Sequence, residues 1–365
     1  KGDDARVVLP MIKKTFESKG KIDEMEKYFA SICNPLTVNQ IETALYESAK
    51  EAYYNKTNCD DAMPKFESYI AKFPEGKYIT EAQYCYGECT YSKGLFEKAL
   101  PAYKFVISKS RSIYTETSLS KASYLLFKDK KYEEALPLYM QMQEIAEAPA
   151  NKLTAKVGAM RCAFYLNQFE VALTEANKVL GAEKLNPQQT NEAKYIKAKS
   201  LFETQRYDDA LTEFKVIAKS SKNVSGAEAY YHIAKIYFNK QDFKESEKTI
   251  NTLFSFAYTN DDWNAKGMLL IADGYAARNQ IEDAKIILQT ILDGKPKQEY
   301  IDEVNARLEQ IRLMEAAKAK TEQPKQTEMK VEFNTSGGDD KLFTQPINTV
   351  PTDSTKKQPV NTIPN

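Results

Sequence analysis

One histidine, one tryptophan and no excess of either charge mark this chain: 51 basic residues balance 51 acidic ones over 365 residues. A net charge of zero gives no electrostatic reason to expect a nucleic acid or an anionic membrane surface as partner. The lone His232 stands beside Tyr231 with no Cys, Ser or acidic pair at a catalytic spacing. A base or ligand needs an oriented partner, so His232 reads as a packed or surface residue. No nucleophile motif, phosphate-cradling glycine loop or zinc signature occurs, so the expectation is no enzyme, no cofactor and no metal. No apolar run approaches the roughly 20 residues that span a bilayer. The most apolar stretch, Met268 to Ala277, is broken by Asp273 and Gly274, and membrane insertion is not expected.

Cysteine is sparse as well. Cys33, Cys59, Cys85, Cys89 and Cys162 are odd in number and irregular in spacing, which excludes a complete disulfide framework. Cys85 and Cys89 lie four apart on one expected helix, but no His or further Cys is near to complete a metal site, so they read as a buried structural pair. The chain begins at Lys1 without Met or a signal-like segment, so targeting information is expected to lie outside it.

What the sequence does contain is a period. Met25, Ala62, Ala99, Ala135, Ala172, Ala210, Ser246 and Ala284 recur at intervals of 36 to 38 residues, each with an apolar or aromatic residue three before it. A fixed period of this size means stacked supersecondary units, each contacting mainly its neighbours. In one unit Glu81 to Tyr91 reads as a first helix, Lys93-Gly94 as its stop, and Phe96, Ala99, Leu100, Tyr103 and Val106 as the buried stripe of a second. The turn recurs at Gly20, Lys130, Asn167, Gln205, Gln241 and Asn279. Small residues on the first helices, Gly87, Ser123, Ala198, Ala234 and Ala272, stand opposite the markers and would let two helices approach closely, with Gly87 expected to touch Ala99.

The unit resembles the tetratricopeptide repeat (TPR), on Tyr86-Gly87, Gly94, Phe96, Ala99 and Tyr103 and, one unit earlier, Tyr53, Ala62, Phe66 and Pro74. The resemblance covers roughly residues 6 to 292. Units are two to four residues longer than usual, and a closing proline is clear only at Pro74. It implies an all-α, right-handed α-solenoid of about eight TPR-like helical hairpins. Domain limits follow: an array over 1–299, a C-terminal capping helix over 300–321, and a low-complexity, mostly disordered tail over 322–365. The segment Phe73-Pro74-Glu75-Gly76-Lys77-Tyr78 with Glu81-Ala82, Tyr84 and Gly87-Glu88 is similar to bacterial envelope scaffolds, the outer-membrane assembly lipoproteins and periplasmic division coordinators. That similarity implies a periplasmic or outer-membrane-associated place and leaves the cytoplasm open.

Eight residues before the markers stand Tyr54, Tyr91, Phe127, Phe164, Phe202 and Phe238, an aromatic in six consecutive units; Glu17 and Ala276 break the row at its ends. In tetratricopeptide arrays this stripe lines the concave surface, so the resemblance implies a groove floored by aromatics. Three residues earlier come Glu51, Glu88, Tyr124, Arg161, Lys199 and Lys235, running from acidic to basic; seven earlier come Glu47, Tyr84, Ser120, Val157, Tyr195 and Tyr231. The same stripe can instead hold successive units together, and a large ring can do both. Trp263 reads as an inter-unit packing anchor.

In the capping helix Val304, Leu308, Ile311 and Met314 or Glu315 follow helical spacing. Beyond it, Thr, Gln, Asn, Pro, Lys and Ser dominate and bury too little to offset ordering entropy. Two apolar islands, Val331 with Phe333 and Leu342-Phe343 with Ile347, resemble short linear ligands that could dock in cis. The leading functional expectation is a non-catalytic scaffold binding a peptide or partner protein in the groove. The alternative, from another class, is a glycan or small-ligand binding module associated with an envelope uptake or enzyme complex. Partner identity and oligomeric state are left open.

Overall fold

A computed structural model describes residues 2–55 and 58–321, which hold seventeen α-helices and no strand. Sixteen of them pair as eight hairpins in chain order. The first four are α1 (Gly2–Ser18) with α2 (Ile22–Ser31), α3 (Val38–Lys50) with α4 (Cys59–Lys72), α5 (Ile79–Ser92) with α6 (Phe96–Ser108), and α7 (Thr115–Lys128) with α8 (Tyr132–Ile145). They continue as α9 (Pro149–Tyr165) with α10 (Phe169–Leu180), α11 (Pro187–Glu203) with α12 (Tyr207–Ser220), α13 (Val224–Asn239) with α14 (Phe243–Phe254), and α15 (Asp261–Ala277) with α16 (Ile281–Asp293). A last helix, α17 (Gln298–Thr321), begins two residues before its expected start. Contacts among the described residues place the array up to Arg312 in one compact unit, with a division after it. The expected disorder of 322–365, and both apolar islands, lie outside the described residues.

The eight hairpins follow from small residues at one repeated position. All eight markers lie on second helices, and all are buried, from 0% exposure at Ala62, Ala99 and Ala210 to 4% at Ser246. A methyl group or less at a crossing lets two helix axes approach closely, so neighbouring side chains interdigitate. In α6 the buried stripe is Ala99, Ala102, Tyr103 and Val106, with Phe96 and Leu100 half-buried beside it. Gly87 is met by Tyr103 and Ala102: a methyl built there would lie 3.0 Å from the Tyr103 ring and 3.4 Å from the Ala102 methyl. The close approach thus falls one turn beyond the expected Ala99 partner.

The turns share a backbone device. Every turn residue identified by pattern has positive φ: Gly20 67°, Gly94 75°, Lys130 59°, Asn167 56°, Gln205 60°, Gln241 62° and Asn279 58°. The residue after each donates its N–H five positions back, as in Leu95 to Thr90 O at 2.9 Å and Arg206 to Leu201 O at 2.9 Å. This closure satisfies the carbonyls a helix end leaves over and fixes where the second helix starts. The hairpin of α3 and α4 departs. Its first helix runs into a π-helical segment, Glu51–Asn55, and Asn58 caps α4 by accepting from the Asp60 and Asp61 N–H groups.

That irregular joint carries a covalent link. Cys59, the first residue of α4, is disulfide-bonded to Cys89 in α5 of the next hairpin. Cys85 and Cys89 are both buried as expected, but they do not act as a pair, because Cys89 faces Cys59 while Cys85 stays free. Nearby, the segment from Phe73 to Tyr78 is tied into the array. Tyr69 donates its hydroxyl to Glu42 at 2.9 Å and accepts the Tyr78 N–H at 3.0 Å, and the Tyr78 ring stacks on Tyr46 with centroids 4.2 Å apart. Tyr300, Val304 and Ile311 of α17 are buried against Leu269, Ala272 and Leu288.

Three outcomes check this packing. Ala99→Leu forces added methylenes into a fully buried crossing and is expected to destabilise by about 1–3 kcal/mol; an unchanged thermal unfolding profile would show the register to be wrong. Nothing lies within 4 Å of a Cβ built on Gly94, so Gly94→Ala is expected to lose about 1 kcal/mol through backbone strain alone, while Gln205→Gly gains up to about that amount. Replacing Cys59 and Cys89 by Ser, which frees a chain separation of 30 residues, is expected to lower stability by about 2–4 kcal/mol in oxidised protein, with reduction of the parent reproducing the loss.

Candidate functional site

The aromatic stripe lies in the last turns of the first helices, and its nearest partner is set by the turn. Five residues separate each stripe ring from the aromatic that opens the second helix, and the positive-φ turn brings them together. Tyr91 meets Phe96 at 5.4 Å between centroids, Phe127 meets Tyr132 at 5.3 Å, and Phe164 meets Phe169 at 6.2 Å. Phe202 meets Tyr207 at 5.8 Å and Phe238 meets Phe243 at 5.3 Å. Phe202 is 7% exposed and the other four are half-buried. Each ring therefore closes its own hairpin and leaves at most an edge to solvent. Tyr54, on the π-helical segment, is 48% exposed and donates to Glu81 at 3.3 Å.

The residues around the stripe make a ladder between consecutive first helices. Tyr84 stacks on Tyr114 at 4.6 Å, Phe164 lies edge-on to Tyr195 at 6.3 Å, and Tyr231 packs on Trp263 at 5.5 Å. Tyr124 is 50% exposed. The gradient of charge along the row is largely neutralised inside the molecule. Glu88 accepts the Tyr103 hydroxyl at 2.6 Å, and Arg161 makes a two-pronged pair with Glu192 at 2.7 and 2.6 Å. Lys199 pairs with Glu203 at 2.7 Å. Lys235 lies 5.8 Å from the Phe202 ring centroid.

Four consecutive first-position helices, α11, α13, α15 and α17, share a cleft of about 510 Å³. It brings together Lys199, Tyr231, Lys235 and Phe238 from the expected set. The other expected residues lie elsewhere along the array; Arg161 and Tyr195 line a separate cleft. Pattern reading did not assign Trp263, Lys266, Asp273, Glu303 and Arg307 to this surface. In α15 the stripe position is Ala276, so the periodic rule found no ring there. Trp263 lies 32 residues after Tyr231, short of one 36–38-residue period, so the repeat register does not point to it.

Inside the cleft, Arg307 holds Asp273 through two bonds of 2.8 and 3.1 Å and reaches Glu303 at 3.1 Å. Tyr195 donates its hydroxyl to Glu228 at 2.7 Å. Burial pushes the Glu228 carboxyl up, but His232 and the Tyr195 hydroxyl outweigh it and hold the group below the usual carboxylate range. His232 is buried, its ring stacked on Phe214 at 4.8 Å and tilted against Phe202 at 5.4 Å. Its Nε2 stands 3.7 Å from Glu228, an electrostatic contact longer than a hydrogen bond, and its Nδ1 has no partner among the described residues. Burial lowers its pKa, with Glu228 opposing. The cleft's lining combines the Tyr231, Trp263 and Phe238 rings with the ammonium groups of Lys199, Lys235 and Lys266.

Residues 161–225 match the family model described as tetratricopeptide repeat. The hairpins on either side repeat its buried marker, and most repeat its positive-φ turn, so the chain is built of tetratricopeptide-type units. No curated protein matches the chain. Among solved structures it is similar to a tetratricopeptide repeat protein from Parabacteroides merdae, at 17% identity over 72% of this chain and 96% of that one, with a TM-score of 0.34. It is also similar to YrrB, described as a TPR protein with an unusual peptide-binding site, at 19% identity over 57% of this chain and 100% of that one, with a TM-score of 0.40. The C-terminal part of a TPR repeat-containing protein from Cytophaga hutchinsonii is 16% identical over 70% of this chain and 98% of that one, with a TM-score of 0.44.

The buried imidazole gives a pH signature. Because the folded pKa of His232 is lowered, the unfolded chain binds the extra proton first, so the neutral ring's contribution is complete above the unfolded pKa of about 6.5 and declines as pH falls toward the folded value. The stability of wild type relative to His232→Phe, measured by denaturant unfolding, is expected to fall as pH falls below about 6.5. A difference that is flat across that range would mean the ring is accessible to protonation in the folded state.

Proposed function

We propose that this chain, an array of tetratricopeptide-type hairpins, is a non-catalytic scaffold that holds a peptide segment of another protein against its first helices, within a bacterial envelope assembly. The observation that carries the reading is the cleft that consecutive first helices line with Tyr231, Trp263 and Phe238 beside lysines. Half-buried rings held by their neighbours offer contact area at little entropic cost, which is what anchor residues of an interface need. The Cys59–Cys89 bridge supports the compartment, since disulfides persist in the periplasm and outside the cell and are rare in the cytosol. No described helix is long and apolar enough to cross a membrane.

A glycan or small-ligand reading draws on a second cleft of about 580 Å³, where Gln188, Asn191 and Asn223 surround Tyr195. Amide groups around an aromatic suit a sugar. Tyr195 is already engaged there, its hydroxyl by Glu228 and its ring by Phe164, which favours the protein partner.

Capture from the native cell with Trp263→Ala/Phe238→Ala, set against Ile113→Ala as a control at a residue 86% exposed, tests the scaffold reading. The parent and the control are expected to retain a partner that the double variant loses; an identical set of captured proteins in all three would remove the cleft from the function. Mass spectrometry of non-reduced native protein is expected to recover Cys59 and Cys89 in one cross-linked peptide, and free thiols at both would remove the oxidising compartment.

A further inference from the structure

Exposed apolar side chains are not evenly spread over the helices. α1 carries three large ones, Val7 at 64%, Val8 at 47% and Met11 at 65% exposure, whereas no other helix carries more than one up to Arg312. Leu9, Ile12 and Phe16 of α1 are half-buried and pack on the core of the first hairpins. At about 100° per residue those three share one side of the helix, and Val7, Val8 and Met11 share the other. A helix that is apolar on two sides is suited to a neighbour on each. First helix α9 lies between α7 and α11 in this way, while α1 packs on α2 and α3 and turns its second stripe to solvent.

The charges of α1 are self-complementary. Its start holds Asp3, Asp4 and Arg6, one net negative charge, and its end holds Lys13, Lys14 and Glu17, one net positive charge. Lys13 reaches Glu17 at 3.7 Å, and Lys14 is exposed. Two copies of α1 laid antiparallel set each acidic start beside the other's basic end and bring opposite helix dipole ends together. Laid parallel, they set like charges side by side. A head-to-tail contact lacks its second surface, because α17 up to Arg312 exposes Asp302, Asn305, Glu309, Gln310 and Arg312 and no large apolar residue. The surface of a second copy that matches the α1 stripe is therefore the α1 stripe itself, the condition for a twofold contact.

We propose that two copies of this chain pair through α1, antiparallel about a twofold axis, with Val7, Val8 and Met11 of one against the same residues of the other and Lys14 beside the other copy's acidic start. α1 contributes no residue to the cleft lined by α11, α13, α15 and α17, so the pairing stands apart from the scaffold reading. Where both hold, a pair carries two clefts, and a partner with two copies of its segment gains effective concentration for the second. One helix face falls short of the roughly 1,200 Å² that stable interfaces bury. The pairing is therefore expected to be reversible, with a dissociation constant of about 10–100 µM.

Sedimentation equilibrium of the full chain from about 2 to 400 µM tests this, a range that brackets that constant. The parent is expected to move from monomer to dimer and no further. Val7→Glu/Met11→Glu, with an unchanged circular dichroism spectrum, is expected to weaken the dimer by about tenfold or more, since each copy then buries two carboxylates against its twin. Lys14→Glu is expected to weaken it about threefold, and Asp4→Lys added to Lys14→Glu to restore it, because the two changes reverse the sign at both ends of the helix. A parent monomeric throughout, growth beyond a dimer, a dimer indifferent to Val7→Glu/Met11→Glu, or a charge exchange that fails to restore what Lys14→Glu loses would each overturn the proposal. A monomeric parent that loses a captured native protein on Val7→Glu/Met11→Glu would assign the stripe to that protein instead.

Discussion

The close crossing of the two helices in each hairpin is the constraint on which the remaining structure depends. At Ala62, Ala99, Ala135, Ala172 and Ala210 the side chain is a methyl group with no exposed surface. Only a short reach separates the helices at such a crossing, so the chain must reverse within a few residues. That requirement explains the positive φ at the turn, and the closing bond from Leu95 to Thr90 and its equivalents fixes the second helix in phase with the first. With both set, the ring at the end of the first helix meets the ring at the start of the second, and Phe127 against Tyr132 is one instance of five. The ring pairs follow from the turn, and the turn follows from the crossing.

How much of this is legible in sequence depends on whether an interaction is local. The markers repeat one spacing because every hairpin solves the same packing problem, and their burial follows from that spacing without further information. The turn positions were legible for the same reason, although Lys130, Gln205 and Gln241 carry none of the glycine signal that identifies Gly20 and Gly94; their place before the opening aromatic marked them. The helix boundaries shifted by one or two residues, as in Ile79–Ser92 for the segment read from Glu81 to Tyr91. Contacts between units were not legible. Cys59 and Cys89 are 30 residues apart, and nothing in their spacing says that the start of α4 faces the middle of α5. Nor could the pattern place Gly87 against Tyr103, since that depends on the angle at which the helices cross.

Charge behaves the same way. The row from Glu51 to Lys235 looks like a gradient when read along the chain, but Arg161 of that row, like several charged residues outside it, answers to a neighbour about one repeat away. Arg161 finds Glu192, Lys240 finds Asp208 at 2.5 Å, and Arg206 finds Glu170 at 2.8 Å. Exposed pairs of this kind contribute little stability, about 0–1 kcal/mol each. Their larger effect is to fix which residues of adjacent units stand opposite one another and to remove charges from the surface a ligand would meet.

The cleft lined by α11, α13, α15 and α17 lies where this pattern of pairing changes. Throughout the middle, a first helix is flanked by two others, and charges on one meet partners on the next. After α15 comes α17, which has no second helix paired with it among the described residues. Tyr300, Val304 and Ile311 occupy the buried face that a further hairpin would have covered. The other side of α17 places Glu303 and Arg307 on the wall of the cleft, where Arg307 engages Asp273, the carboxylate of α15 that lines this cleft. The helix that packs on Leu269, Ala272 and Leu288 thus also supplies two of the charged groups that line the cleft.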